Sequence, residues 1–598
     1  VLDLNAAIAD ANSLTVSGST ALDADVTTSG TQTYTSVALG TGARTLEGSI
    51  IQTITIDGGQ NLTITGNLDS NGNIGSNTPI GVFEVSGTSN FAANVLTSGT
   101  QTYSGAVTLG ANIVFTSSND NFTFSSTVDS DSSTRNLTLN AGSGTIGISN
   151  AVGGGEAIGT LTITQSGGVT FSGNINAAIV TLTDTSNSVT FAGNTVLTTL
   201  NTASQDYNVV FTGSTNTITN AVTFSNTGFV TFGNASGDSS TFNGGLTTTA
   251  PSQVNVGGTL QTSNDAMSLG DANTAIVLVA NSVLNTGSAA LTVNSTVNGG
   301  YTLTLNSTAA TTFSGIVGGS TKLTGIITNS GGTVVFNTTA ISTDGDQTYN
   351  DAATLGGNIT FTTTGDNIVF ASTLDSDSTT RTLDIVAGAG NTTFTGAVGG
   401  SEPLGNTTIG TAVLTAAAIK AQGTLAITNS GTSEIDGVIS DGGSALALTK
   451  AGAGSLTLSG TNTYTGTSTI SAGSIIIGAD AGLGAAPGSA AAGHFVFASG
   501  GSGTLNTTAS ITLHANRGIA LTGNGIVNTN ASRTLTYAGI IAGSGTLTKA
   551  GAGTLTLSGT NTHTGSNILS AGILIVAGDR AFGAVPGSAD VDNITFVS

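Results

Sequence analysis

At 598 residues the chain is long enough for several globular domains. Yet its 87 glycines, absent cysteine and tryptophan and 7% charged residues keep one texture throughout, which excludes a mosaic of ordinary domains. A net charge of -22 opposes nucleic-acid phosphates and anionic lipid surfaces, and the lack of cysteine excludes a disulfide framework and thiol catalysis. The 38% of hydrophobic residues alternate with Thr, Ser and Asn, so a core can be buried, and no run approaches the ~18 apolar residues of a membrane span.

Residues 1–20 lack the basic start and apolar stretch of a signal peptide, so a leader is expected to have been removed or to lie upstream. Residues 1–97 read as irregular β-solenoid coils. The word SGTQTY at 29–34 returns at 98–103, and DGDQTY at 344–349 opens a second copy of it, because residues 101–159 align without a gap to 347–405 at an offset of 246. The segment 98–343 is therefore one long repeat and 344–448 part of a second. Within the first, Val169-Thr-Phe171, Val189-Thr-Phe191 and Val209-Val-Phe211 recur every 20 residues. That step suits one coil of a parallel β-helix, with Val and Phe facing inward, the intervening Thr outward and Gly or Gly-Asn at the corner. Such a winding gives roughly thirty coils, and at ~4.8 Å per coil a rod on the order of 140 Å long. Helix is disfavoured by composition; only residues 2–11 and 413–421 could be either a short helix or Ala-rich strand.

Residues 450–489, KAGAGSLTLSGTNTYTGTSTISAGSIIIGADAGLGAAPGS, return at 549–588 after 99 residues. The offset reads as about five coils and that of 246 as about twelve, as a duplicated block must if it re-enters the stack in register. The sequence closes on Asn593 to Ser598, which aligns with His494 to Ser499 inside the copied unit, so the chain is read as part of a longer protein. These residues resemble the autotransporter-associated β-strand repeat of Gram-negative passenger domains and giant surface proteins. The match covers two copies of about 40 residues within 449–598, while the rest of the chain is similar to filamentous-haemagglutinin-like adhesins in texture alone. The resemblance implies an all-β, right-handed parallel β-helix on an exported cell-surface protein, with any outer-membrane translocator outside this segment.

No motif carries catalytic chemistry. Gly237-Asp238-Ser239-Ser240 approaches a serine-protease nucleophile word but departs at its fourth residue, and His494, His514 and His563 lie far downstream. A carbohydrate-active β-helix would need acids and bases converging on one face; here the charges are scattered and no tryptophan is present to stack on a sugar. The pairs Asp129/Asp131 and Asp375/Asp377, with Asp120 and Asp366 nearby, could hold Ca²⁺ through alternating oxygen ligands; the alternative is a solvated turn paired with Arg135 or Arg381. Lys450 and Lys549 read as solubilising corner residues, and the exchange of Tyr464 for His563 reads as an exterior strand position. The sequence thus points to a non-enzymatic structural or adhesive surface protein without a required cofactor. Its partners would be another cell surface, a glycan or protein receptor, or copies of itself, with a filament or surface-layer component and, further off, a carbohydrate-active enzyme as alternatives.

Overall fold

The computed structural model describes residues 1–584 and 594–597; the second Pro586-Gly587-Ser588 word, Asn593 and Ser598 lie outside them. The chain divides into two units, Val1–Tyr301 and Thr302–Ser598. In the first, strands that range from two residues, Val95–Leu96, to 14, Arg44–Asp57, stack in parallel, each residue over its counterpart one turn later. Val169 pairs with Val189 and Val189 with Val209, and Phe171, Phe191 and Phe211 follow the same ladder. All six side chains are buried, whereas Thr170 points out. The phenylalanine rings lie nearly flat on each other, with centroids at 5.3 and 4.8 Å. A column of identical rings packs well because each turn offers the next the same shape.

The strand Ile175–Leu182 bends and serves two faces, pairing through Ile175 with Thr195 and through Val180 with Leu200. With Gly168–Phe171 on a third, each turn has three faces. Every strand pairing given for the described residues is parallel, and the fold is a parallel β-solenoid of about 27 turns with ~21 residues per turn. That is slightly fewer, longer turns than a 20-residue step implies. The difference lies in the corners, where residues can be added without disturbing a ladder: Phe122 pairs with Ile146 across 24 positions, and Phe83 with Gln101 across 18.

The second unit is built alike. The two blocks related by 246 residues make the same core in their own units, Tyr103 stacked on Phe124 at 5.0 Å and Tyr349 on Phe370 at 4.9 Å. Residues 2–11 and 413–421 resolve as strand, Leu2–Leu4 and Ile8–Ala11 in one case and Leu414–Ala416 and Ile419–Asn429 in the other. In the latter, Leu414, Ala416, Ile419 and Ala421 are the buried side chains, so burial there keeps to strand faces. Among the described residues the helical turns are two 3-10 segments, Asp480–Leu483 and Asp579–Phe582, one in each copy of the 99-residue unit.

The register of that unit corrects the expectation of five coils. Lys450 pairs with Ile470, Ile470 with Phe497, Phe497 with Leu521 and Leu521 with Gly543, four turns down one face. Lys549 lies on the neighbouring face, below Leu456, Ile475, Leu505 and Val527. Leu555 likewise has moved one face on and stacks between Leu535 and Leu574. The offset of 99 is therefore four turns and one face, because the turn from Ile470 to Phe497 takes 27 positions to accommodate a 3-10 segment and its loop. A copied block must land its strand words on a face; it need not land on the same one.

Deleting residues 189–208, one whole turn, places Val209 and Phe211 on Val169 and Phe171. It is expected to leave far-UV circular dichroism and thermal unfolding close to those of the intact chain. Deleting only residues 189–198 breaks the ladder and should lower the unfolding midpoint sharply or abolish cooperative unfolding.

Candidate functional site

The polar residues that punctuate the ladders act on the next turn's main chain. Asn94 Nα–H donates to Asn73 Oδ1 at 3.2 Å and Val114 N–H to Asn94 Oδ1 at 2.9 Å; Asn112, Asn136 and Thr160 repeat the pattern. Each side-chain oxygen satisfies a main-chain N–H of the following turn, at or near the start of a strand for Val114, Asn136 and Thr160. The words SGTQTY and DGDQTY build a second device. Gln101 is fully buried; its Nε2 donates to Thr97 Oγ1 at 3.1 Å and to the Thr116 carbonyl of the following turn at 2.8 Å, while Tyr103 donates its hydroxyl to Gln101 Oε1 at 2.9 Å. Gln347, Thr343, Thr362 and Tyr349 reproduce it, as do Gln32, Thr28, Glu47 and Tyr34.

This places the candidate calcium ligands. Asp129 Oδ1 accepts from Gly155 N–H at 2.8 Å and Asp375 Oδ1 from Ser401 N–H at 2.9 Å, the position that asparagine fills elsewhere. Asp131 takes a two-pronged bond from Arg135, Nε at 2.9 Å and Nη2 at 2.7 Å, and Asp377 the same from Arg381. The guanidinium bond, with that from Ser133 N–H, holds the Asp131 carboxyl below its ordinary pKa. Asp120 and Asp366 enter the corners through their carbonyls, which accept from Ser117 and Thr363. Among the described residues no three His, Asp or Glu side chains gather as a metal site would require.

The protease-like word runs from a turn at Gly237 into the strand Ser239–Phe242. Asp238 Oδ2 accepts from Asn234 and Ala235 N–H at 2.8 and 3.0 Å, Ser240 is buried against Asn216, and the three histidines belong to the other unit.

The 99-residue unit holds the densest polar chemistry, and here two readings from sequence are corrected. Lys450 and Lys549 are not solvated corner residues: both are buried, at 0% and 1% exposure. Lys450 Nζ donates to the carbonyls of Ala451, Gly452 and, one turn on, Ala472, at 2.5, 3.0 and 3.5 Å. Lys549 does the same with Ala550, Gly551 and Ala571. The glycines of the KAGAG word allow this, since Gly452 and Gly551 sit at φ of 76° and 74°, turning their carbonyls toward the ammonium. Burial pushes the Lys450 pKa down to about 8.

Tyr464 and His563 are likewise interior, at 0% and 1% exposure, not on the outer strand face. Tyr464 shares a 2.7 Å hydroxyl bond with Ser468, whose Oγ reaches the Leu483 carbonyl at 3.4 Å. In the second copy the ring is shorter and its partner longer: His563 Nε2 lies 3.1 Å from Asn567 Oδ1, and Asn567 Nδ2 donates to the Phe582 carbonyl at 2.7 Å. Both pairs therefore tie the 3-10 segment to the stack, which is why the exchange is tolerated. In the first copy Arg517, 1% exposed, completes the corner. Its guanidinium meets both Asp480 carboxylate oxygens at 3.2 Å and donates to the carbonyls of Leu483 and Gly484 at 2.8 and 2.9 Å.

Residues 448–477 and 542–576 match the family model of the passenger-associated-transport-repeat. The chain carries two passenger-associated transport repeats. No curated protein sequence and no solved structure matches it. The matched segments contain the buried lysines, Tyr464 and His563, so the repeat is a turn of solenoid closed by an internal cation and a keyed polar pair.

His563→Tyr alone overpacks Asn567 and is expected to cost about 1–3 kcal/mol in chemical denaturation; adding Asn567→Ser restores the first copy's pair and should recover most of it, a non-additivity of at least ~0.5 kcal/mol. For Lys450, the unfolded chain binds the ammonium proton more tightly than the folded one between about pH 8 and pH 10. Stability contributed by this lysine is therefore expected to rise across that window, and thermal unfolding of Lys450→Met should lack that rise.

Proposed function

We propose that this chain is the exported, surface-exposed passenger portion of an autotransporter-type protein, acting as a non-enzymatic scaffold that makes many weak contacts. The observation that carries the reading is that the two passenger-associated transport repeats are themselves turns of the parallel solenoid: Lys450 pairs above with Ile427 and below with Ile470. Repeats of this family are associated with autotransporter passengers, which are secreted or surface-exposed. No helix of the described residues is long and apolar enough to cross a membrane.

The adhesive part of the proposal draws on the outer faces. Thr138, Thr162 and Thr181 stack as one row, and Thr223, Thr247, Ser268 and Thr292 as another, all reaching solvent. Uncharged hydroxyls repeated at the ~4.8 Å strand spacing offer many equivalent weak hydrogen-bonding positions to a glycan or protein receptor. The buried lysines and Arg517 spend their donors on main-chain carbonyls and Asp480, which supports a structural role over acid-base work.

Antibody labelling of intact cells of the producing organism is expected to detect the chain, and labelling only after permeabilisation would overturn the surface assignment. For the contact mechanism, purified protein coupled to beads at graded density should retain target cells steeply above a threshold density. Retention strictly proportional to density, or none at any density, would remove the multivalent reading.

A further inference from the structure

All three histidines lie at the two 3-10 corners: His514 is exposed and its main-chain N–H donates to Asp480, whereas His494 and His563 each sit buried in a geometry that only the neutral ring satisfies. His494 is 7% exposed and its Nδ1 lies 3.3 Å from Arg517 Nη1. A guanidinium can only donate, so Nδ1 must carry the lone pair and Nε2 the hydrogen. Nε2 is buried and has no partner. A second proton would fall on Nδ1, directly against a fixed cation. The ionisable groups acting on His494 are Arg517 and Asp480; burial and Arg517 push its pKa down, and Asp480 opposes them without reversing the direction. Two tyrosines share the corner, Tyr464 on the preceding turn and Tyr537, whose hydroxyl donates to the Arg517 carbonyl.

His563 reaches the same condition by a different route. Because Asn567 Nδ2 donates to the Phe582 carbonyl, its Oδ1 faces the ring and His563 Nε2 must be the donor. Nδ1 is then the bare nitrogen, buried and without a partner. Burial lowers the pKa of this ring, Asn567 and the Ile541 carbonyl oppose it, and among the described residues no charged side chain acts on it. Protonation would place a second N–H⁺ on a buried nitrogen that makes no hydrogen bond, a cost the Ile541 carbonyl offsets only in part.

We propose that these two corners form an acid-sensitive latch: below about pH 6.5, proton uptake by His494 and His563 releases the 3-10 segments Asp480–Leu483 and Asp579–Phe582 from the stack while the phenylalanine-filled turns stay closed. The direction follows from linkage. Both rings are held neutral in the folded chain, so the open form binds more protons below the ordinary histidine pKa, and corner stability is lost as pH falls. Local opening is expected to precede global unfolding because each corner closes a long turn on few apolar contacts.

Amide hydrogen exchange of the full chain, compared as protection factors at pH 7.5 and pH 5.5, tests this. Protection within 479–497 and 560–584 is expected to fall by about tenfold or more on acidification, with turns through Val169, Val189 and Val209 unchanged. Substituting His494→Asn keeps an acceptor where Nδ1 stood, and His563→Tyr with Asn567→Ser installs the first copy's non-titrating pair; each should remove the pH response of its own corner and leave the other's intact. Equal protection at both pH values in the wild type, or an unchanged acid response in the substituted corners, would overturn the latch. Should the Asn variant fold poorly, the Tyr/Ser pair alone decides the question at the second corner. The surface role is untouched by either outcome.

Discussion

The structure depends on vertical register, each residue lying over its equivalent one turn later at the ~4.8 Å strand spacing. Under that constraint any side chain is repeated, in effect, against a copy of itself. Identical apolar rings gain by it, as Phe171, Phe191 and Phe211 show. Identical charges would lose by it, since outward rows of like charge cannot separate. Hydroxyls and amides are neutral under stacking and can bond up or down the column. The scarcity of charge and the wealth of Thr, Ser and Asn are therefore a consequence of winding, before any consideration of partners.

The same constraint decides what corners must do. Strand ladders satisfy their own main chain, but at each bend an N–H or carbonyl is left over, and the only neighbour available is the adjacent turn. Asparagine answers with its carbonyl oxygen, aspartate at 129 and 375 answers identically, and buried glutamine at 32, 101 and 347 answers for carbonyls. Viewed this way, the aspartates at 129 and 375 are first substitutes for asparagine, and charge enters where a cation pairs with the carboxylate, as Arg135 does with Asp131 and Arg517 with Asp480.

How much of this could be read from sequence depended on whether the partner shared the period. Val169, Val189 and Val209 announce their stacking because all three belong to one 20-residue word, and the inward Val and Phe with outward Thr follow from strand alternation. Lys450 was illegible because its acceptors are backbone carbonyls of glycine-rich turns, which look in sequence like flexible solvated loop. Tyr464 and His563, compared in isolation, look like an outer strand position; the compensating change from Ser468 to Asn567, four residues on, is the signal that the pair is internal. Dividing the 99-residue offset by a mean turn hides the 27-position turn that holds the 3-10 segment Asp480–Leu483.

That one-face advance bears on how the repeats work. In a solenoid whose three faces each accept a Leu-Thr-Leu word, a duplicated block is constrained to begin at a corner and nothing more, so its copies turn about the axis. Residues 455–458 of the first copy lie in the column that receives Lys549 of the second, and Thr554–Leu557 takes the next face round. Equivalent outer surfaces of the two repeats thus point in different directions, which suits contacts made around the solenoid more than a ligand lying along one side. The internal cation and the keyed polar pair travel with the block to whichever face it lands on. Each copy therefore carries the means of closing its own turn, and can be inserted without a partner evolved in advance on its neighbours.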